Sequence, residues 1–241
     1  MRVIANDRLI LALDIVPDDS AELLAFVDSL TDVIRIVKIG WPLILRWDLS
    51  SAVRAMRGKN KRVFLDAKFA DVESVARTLV SRCEELGVEF LTINHGWATV
   101  EAAVQTRSHG SSLKIFTITL LTNFDEEELR AQGIRKSVEE IVVERAVKAQ
   151  KIGCDGVIAS GREAAAIRKV TGDDFLIVTP GIRPSGVSVN DHRRAVTPSE
   201  AIAGGADYLV VGRPITNATN PRQAALDVLE EMQAAFDARV S

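Results

Sequence analysis

The sequence predicts an α/β protein, a TIM (β/α)8 barrel forming a single domain over residues 1–241. Three observations lead there. Short, β-branched apolar runs recur eight times along the chain, they lack in/out alternation, and helix-like segments lie among them. Strands that are apolar on both sides belong to a parallel sheet covered by helices.

In order, LILALD (9–14) is the first strand, and SAELLAFVDSL (20–30) is a helix that Asp18, Asp19 or Ser20 can cap. VIRIVKIG (33–40) and RVFLD (62–66) are strands two and three; VESVARTLVSRCEELG (72–87) is a helix that stops at glycine. EFLTIN (89–94) and LKIFTIT (113–119) are strands four and five, followed by the helix SVEEIVVERAVKAQKIG (137–153). GVIAS (156–160), the helix REAAAIRKVTG (162–172) and FLIVTPG (175–181) come next. PSEAIAGGAD (198–207) and YLVVG (208–212) complete the set, and a last helix, PRQAALDVLEEMQAAFDARV (221–240), opens on a first-turn proline. A doubly wound open sheet would usually have fewer strands and a glycine fingerprint after the first; LALD is followed by no G-x-G-x-x-G. No linker-like or low-complexity stretch divides the chain.

Composition narrows the function. With 241 residues, 47% of them hydrophobic, the chain is long enough to bury a core without staples. A net charge of −3, with Lys and Arg scattered, argues against a nucleic-acid or anionic-membrane surface and leaves a small molecule as the expected partner. No run approaches the ~20 apolar residues of a membrane span, and MRVIANDRLI lacks the apolar core of a signal peptide. Cys83 and Cys154 make neither a disulfide framework nor a zinc spacing, so a reducing cytoplasm and no metal are expected.

In such a barrel, chemistry collects at the C-terminal ends of the strands. Those ends carry Asp14, Lys38, Asp66 with Lys68, Asn94–His95, Thr122–Asn123, Ser160, Pro180–Gly181 and Gly212–Arg213. The first three supply charges of alternating sign, and Asp71 follows closely. Buried charges are costly unless paired, so a chain of Asp and Lys is a way to hold several together. One residue apart on an extended segment, Asp66 and Lys68 are expected to point into one pocket. TPGIRPSG and VGRPIT are glycine-bearing turns after strands seven and eight, where barrels commonly bind phosphate through backbone N–H groups. Arg213 adds a fork of donors suited to phosphate oxygens, while Arg183 is expected in a rim salt bridge.

Together, LILALD, VKIG, FLDAKFAD, TPGIRP and ADYLVVGRPIT resemble the orotidine 5′-monophosphate decarboxylase family, from Leu9 to about Ile215. The resemblance implies a cofactor-free homodimer that converts orotidine 5′-monophosphate to uridine 5′-monophosphate and carbon dioxide in pyrimidine biosynthesis. It implies a catalytic set of Lys38, Asp66, Lys68 and Asp71, with Lys68 stabilising and protonating the C6 carbanion and Asp71 crossing to the partner's site. It makes Asp14 a ribose ligand, Pro180 and Gly181 the turn facing pyrimidine and phosphate, and Gly212 with Arg213 the phosphate grip.

The chain also departs from that pattern. Ile-Pro-x-Thr is replaced by Val72-Glu73-Ser74-Val75, so the ribose-side hydroxyl is missing. Leu-Thr-Ser becomes Leu121-Thr122-Asn123, and a Gln after Asp becomes His192 after Asp191. Asn123 can still pair with a pyrimidine edge, and His192 can meet a phosphate. A related nucleotide or sugar phosphate as substrate, or a silent nucleotide-binding barrel, therefore stands beside the main reading. Ketogulonate-phosphate decarboxylases and hexulose-phosphate synthases share D-x-K-x-x-D but use Mg²⁺ with an acidic ligand at the end of strand two. Lys38 occupies that place here.

Overall fold

Strands with no polar face cannot leave a side to water, and this chain removes both sides by closing its sheet and covering it with helices. The computed structural model describes residues 3–15, 19–94, 96–122, 124–184 and 195–240. A 3-10 turn at Ala5–Asp7 enters β1 (Leu9–Ala12), followed by α1 (Ser20–Ser29), β2 (Ile36–Ile39), α2 (Trp41–Trp47) and α3 (Leu49–Gly58). Then come β3 (Arg62–Phe69), α4 (Glu73–Leu86), β4 (Phe90–Ile93), α5 (Trp97–Thr106) and β5 (Lys114–Ile118). The second half runs α6 (Glu126–Ala131), α7 (Val138–Ile152), β6 (Gly156–Ile158), α8 (Ala164–Thr171) and β7 (Leu176–Thr179). It ends with α9 (Pro198–Ala203), β8 (Tyr208–Val211), α10 (Arg213–Thr216) and α11 (Pro221–Val240). The strands pair in parallel in sequence order, and β8 returns to β1 through Leu9↔Leu209, Ile10↔Val210 and Leu11↔Val211.

The predicted strands are all present. The helices are recovered with shifted ends, and the shifts have local causes. Of the three cap candidates for α1, Asp19 is the cap, its carboxylate accepting from the Ala21 N–H at 2.8 Å. Helix α9 stops at Ala203 because Gly204 and Gly205 follow, the latter at φ +104°. Capping boxes at Ser137/Glu140 and Thr197/Glu200 start α7 and α9. The sequence reading missed α2, α3, α5, α6 and α10. Helices α2 and α5 follow Gly40 and Gly96 with no side-chain cap, and only α2 carries a start signal, the first-turn Pro42.

Alternation along the strands separates two cores. Ile10, Ile36, Phe64, Phe90, Phe116, Val178 and Tyr208 fill the barrel, while Leu11, Val37, Leu65 and Leu91 face the helices. Inside, the Phe64, Phe90 and Phe116 rings lie 5.9–6.3 Å apart and Tyr208 meets Phe90 edge-on at 5.4 Å. Below them, at the strands' N-terminal end, Arg62 bonds both carboxylate oxygens of Glu89 at 2.7 and 2.5 Å. Arg62 also covers the Phe90 ring, and Arg8 covers Tyr208 at 4.7 Å. This packing fills the lower barrel and leaves the C-terminal end as the place for a ligand. Among the described residues no helix is long and apolar enough to cross a membrane.

Candidate active site

A cavity of about 540 Å³ opens at the C-terminal ends of the strands. Its floor is apolar: Phe64, Ile118, Ile158 and Val210 rise from the interior core. One wall is ionic and comes from β1, β2 and β3; the other is built by the turns after β7 and β8.

The ionic wall is a linked array. Lys38 Nζ lies 2.8 Å from Asp14 Oδ1 and 3.5 Å from Asp66 Oδ2, and Lys68 Nζ lies 2.9 Å from the same Asp66 oxygen. Lys38 and Asp66 are buried, whereas Asp14 and Lys68 open to the cavity mouth. Burial by itself would push the Asp66 carboxyl up; the ammoniums of Lys38 and Lys68, with the side-chain hydrogen bonds of Lys68 and Thr92, reverse this and hold it below the ordinary carboxylate value. Two cations on one carboxylate oxygen keep it ionised in a site that would otherwise neutralise it.

Asp66 and Lys68 converge as predicted, but simple extended alternation is not the reason. The register of β3 on β4 shifts between Leu65 and Phe69, and Lys68 has φ +47°, the left-handed region that L-residues avoid. The strand also runs on to Phe69 instead of ending at Asp66. Trp41 Nε1 braces the bend by donating to the Ala67 carbonyl at 2.7 Å. The strained backbone aims the Lys68 ammonium at Asp66; such outliers persist where surrounding structure holds them.

Asp71 is not part of this array. It is exposed and does not line the cavity; its Oδ1 accepts from the Val72 N–H at 2.7 Å, and its carbonyl accepts from the Thr99 hydroxyl. Near it Val72 and Val75 are exposed, and Trp41 and Leu45 on α2 are exposed too, Leu45 at 80%.

On the opposite wall, Pro180, Gly181, Gly212 and Arg213 line the same cavity as the array. Gly181 has φ +77°, a conformation open to glycine. At Gly212 a Cβ would lie 3.3 Å from the Ala12 Cβ, so glycine lets the exit of β8 pass close to β1. Arg183, expected at the rim, is buried and lines the cavity; its Nη1 donates to the Ile182 carbonyl at 2.8 Å and its N–H to Val196 at 2.9 Å. Beside it Ile182 bridges Val196, which ties this stretch of backbone to the segment before α9.

Thr122, Thr216 and Asn217 also line the cavity; the last two, beyond Arg213, escaped the sequence reading. Thr92 escaped it as well, although it follows Phe90 at strand spacing and so shares the barrel-facing side of β4. Asn123 and His192, like His95, lie outside the described residues. Among the described residues no three His, Cys, Asp or Glu side chains cluster as a metal site would need.

A cavity with stacked cations and carboxylates on one wall, phosphate-compatible turns on the other and an apolar floor suits a small anion with a flat middle. Comparison with known proteins gives the same direction. The model of the "Orotidine 5'-phosphate decarboxylase / HUMPS family" matches residues 7–228. An orotidine 5'-phosphate decarboxylase of Methylobacterium nodulans is 43% identical over 232 residues, covering 95% of this chain and 97% of its own. That of Afipia carboxidovorans is 42% identical over 230 residues, with 95% and 96% covered. The crystal structure of orotidine 5'-phosphate decarboxylase from Lactobacillus acidophilus superposes with a TM-score of 0.78 at 29% identity, covering 93% of this chain and 98% of that one.

Proposed function

The chain belongs to the orotidine 5'-phosphate decarboxylase / HUMPS family, and from that premise we propose that it decarboxylates orotidine 5′-monophosphate to uridine 5′-monophosphate, as a lyase of pyrimidine biosynthesis. The observation that carries this is the Lys38–Asp66–Lys68 array facing one cavity with Gly212 and Arg213.

In this reading the phosphate sits against Gly181, Gly212 and Arg213, the ribose against Asp14 and Lys38, and the pyrimidine over Phe64 and Ile118. That places C6 and its carboxylate at Asp66 and Lys68. The C6–carboxylate bond breaks, its electron pair stays on C6 in an orbital the ring cannot delocalise, and carbon dioxide departs. The Lys68 ammonium stabilises that pair and then gives C6 a proton, which solvent returns to the amine. Asp66 fixes Lys68 and crowds the departing carboxylate. Lys38, bridging Asp14 and Asp66, keeps the array near charge balance. The phosphate lies remote from the reacting bond, and its binding energy serves to position the ring. No step is routed through a metal or cofactor.

The reading includes a homodimer in which Asp71 completes the partner's site. Two features support it: Asp71 lies outside its own cavity, and the apolar Trp41, Leu45, Val72 and Val75, on the segments after β2 and β3, are exposed. A single domain is supported by closure of β8 on β1, which needs the chain from residue 9 to 211. A cytoplasmic setting is supported by Cys83 and Cys154, both buried and free.

The test is turnover of orotidine 5′-monophosphate, followed by loss of its ultraviolet absorbance and by released carbon dioxide, with excess EDTA as a second arm. Turnover unchanged by chelator is expected. Turnover of a related nucleotide or sugar phosphate in its place would overturn the substrate, and binding without turnover of any of them would overturn the enzyme.

A further inference from the structure

Two buried polar atoms come from neighbouring strands of the barrel, Asp66 Oδ1 on β3 and the Thr92 hydroxyl on β4; neither has another hydrogen-bond partner among the described residues, and the Thr92 hydroxyl lies close enough to Asp66 to help lower its carboxyl. Solvent reaches neither. The register pairs Phe64 with Phe90 and Leu65 with Leu91 before it shifts; Thr92 lies on the barrel-facing side that Phe64 and Phe90 share, within reach of Asp66. One atom is an acceptor and the other carries a donor.

The contrast with other threonines sharpens this. Thr119 satisfies its hydroxyl on the Ile158 carbonyl at 3.1 Å. Thr117 and Thr179 also lack partners, yet strand alternation turns them to the helix layer, away from the ionic array. At Thr92 alone among these does a hydroxyl with no backbone partner meet a carboxylate oxygen with no lysine. A buried hydroxyl is costly unless it is used, and valine would fill the same volume without it.

We propose that Thr92 is a positioning residue: its hydroxyl closes onto Asp66 Oδ1, locks the carboxylate's rotation and reserves Oδ2 for the two lysines. Resting on the decarboxylase reading for its consequence, this gives Asp66 three directed donors, from Thr92, Lys38 and Lys68. With Oδ1 held, the Lys68 ammonium has a fixed seat beside C6. With Oδ1 loose, the carboxylate turns and Lys68 follows it. Misplacement of about 1 Å at a reacting centre lowers turnover on the order of 100-fold.

The experiment compares the unmodified protein with Thr92→Val and Thr92→Ser. Lys38 from β2, Lys68 from β3 and, behind Lys38, Asp14 from β1 are the charged groups facing Asp66 within the described residues, and Asp71 of a second copy would join them in the dimer reading; none is altered by either variant. The expected result is a kcat roughly 10- to 100-fold lower in Thr92→Val with KM nearly unchanged, restored by Thr92→Ser. Carboxyl carbon NMR should show Asp66 in Thr92→Val titrating higher than in the unmodified protein and in Thr92→Ser. Unchanged kcat together with an unchanged Asp66 titration in folded Thr92→Val overturns the proposal. Failure of the unmodified protein to turn over orotidine 5′-monophosphate, with the Asp66 titration still raised, overturns the decarboxylase reading and leaves the Thr92 clamp standing.

Discussion

Both ends of this barrel carry inward-directed charge, and they treat it in opposite ways. At the N-terminal end Arg62 is bound at two points by Glu89 and stacks on Phe90, while Arg8 stacks on Tyr208. Pairing there is saturated, and the Arg62 guanidinium is held well above its ordinary value by the Glu89 hydrogen bond. At the C-terminal end one carboxylate oxygen of Asp66 takes two lysines while the other takes none, and Lys68 is strained and half exposed. Closed pairing stabilises a fold; open, crowded pairing stores charge that a ligand can complete. The difference lies in wiring and in residue type: forked Arg against Glu and aromatic rings at one end, Lys against Asp at the other.

That contrast can be broken or sharpened by substitution. Lys68→Ala carries the largest expected effect: kcat falls on the order of 10³-fold or more, from loss of both cation and proton donor. Its melting temperature should stay close to that of the unmodified protein, because the side chain is 46% exposed; steady-state kinetics and thermal melts check this. Arg213→Ala, on the opposite wall, should raise KM roughly 10- to 100-fold with a smaller change in kcat, read by a substrate titration.

Glu89→Gln inverts the pattern. It leaves Arg62 without its carboxylate, and partial exposure of both side chains limits the loss to about 1 kcal/mol of stability. Denaturant unfolding should register that loss while kcat stays within about twofold. A large kcat change in Glu89→Gln would show that the two ends are coupled after all.

The smallest effect is a pH dependence. The Asp66 carboxyl is lower in the folded chain than in the unfolded one, so its stabilisation is complete above the unfolded carboxylate value near 3.9 and is lost as pH falls through the folded value. Melting temperature should therefore be insensitive to this group near neutrality and decline below about pH 4. Asp66→Asn should lose part of that acid decline; an identical decline in the variant would remove Asp66 as a cause.

Much of this was legible before any coordinates. The eight apolar runs are all strands, because continuous hydrophobicity at strand length leaves few alternatives. The pairing of Lys38 with Asp14 and Asp66 was readable as charge complementarity at strand ends. Helix α5 was not readable, since it follows a glycine without a side-chain cap, and α2 offered only its first-turn Pro42. Arg183 was misplaced at the rim because its burial, beside the non-local bridge of Ile182 to Val196, belongs to the tertiary fold. That Trp41, Leu45, Val72 and Val75 stay exposed likewise needed the fold to be seen.

By itself, then, the sequence determined what is periodic or local: strand count, the glycine turns, the caps of α7 and α9, and the charges at the strand ends. Tertiary structure alone decided which of those charges meet. Asp71 follows Lys68 by three positions yet does not line the cavity, while Thr92, a strand away, lies within reach of Asp66. The physical reason is register: closing the barrel and bending β3 at Lys68 set side-chain neighbours across strands, and such neighbours leave no mark on the spacing along either one.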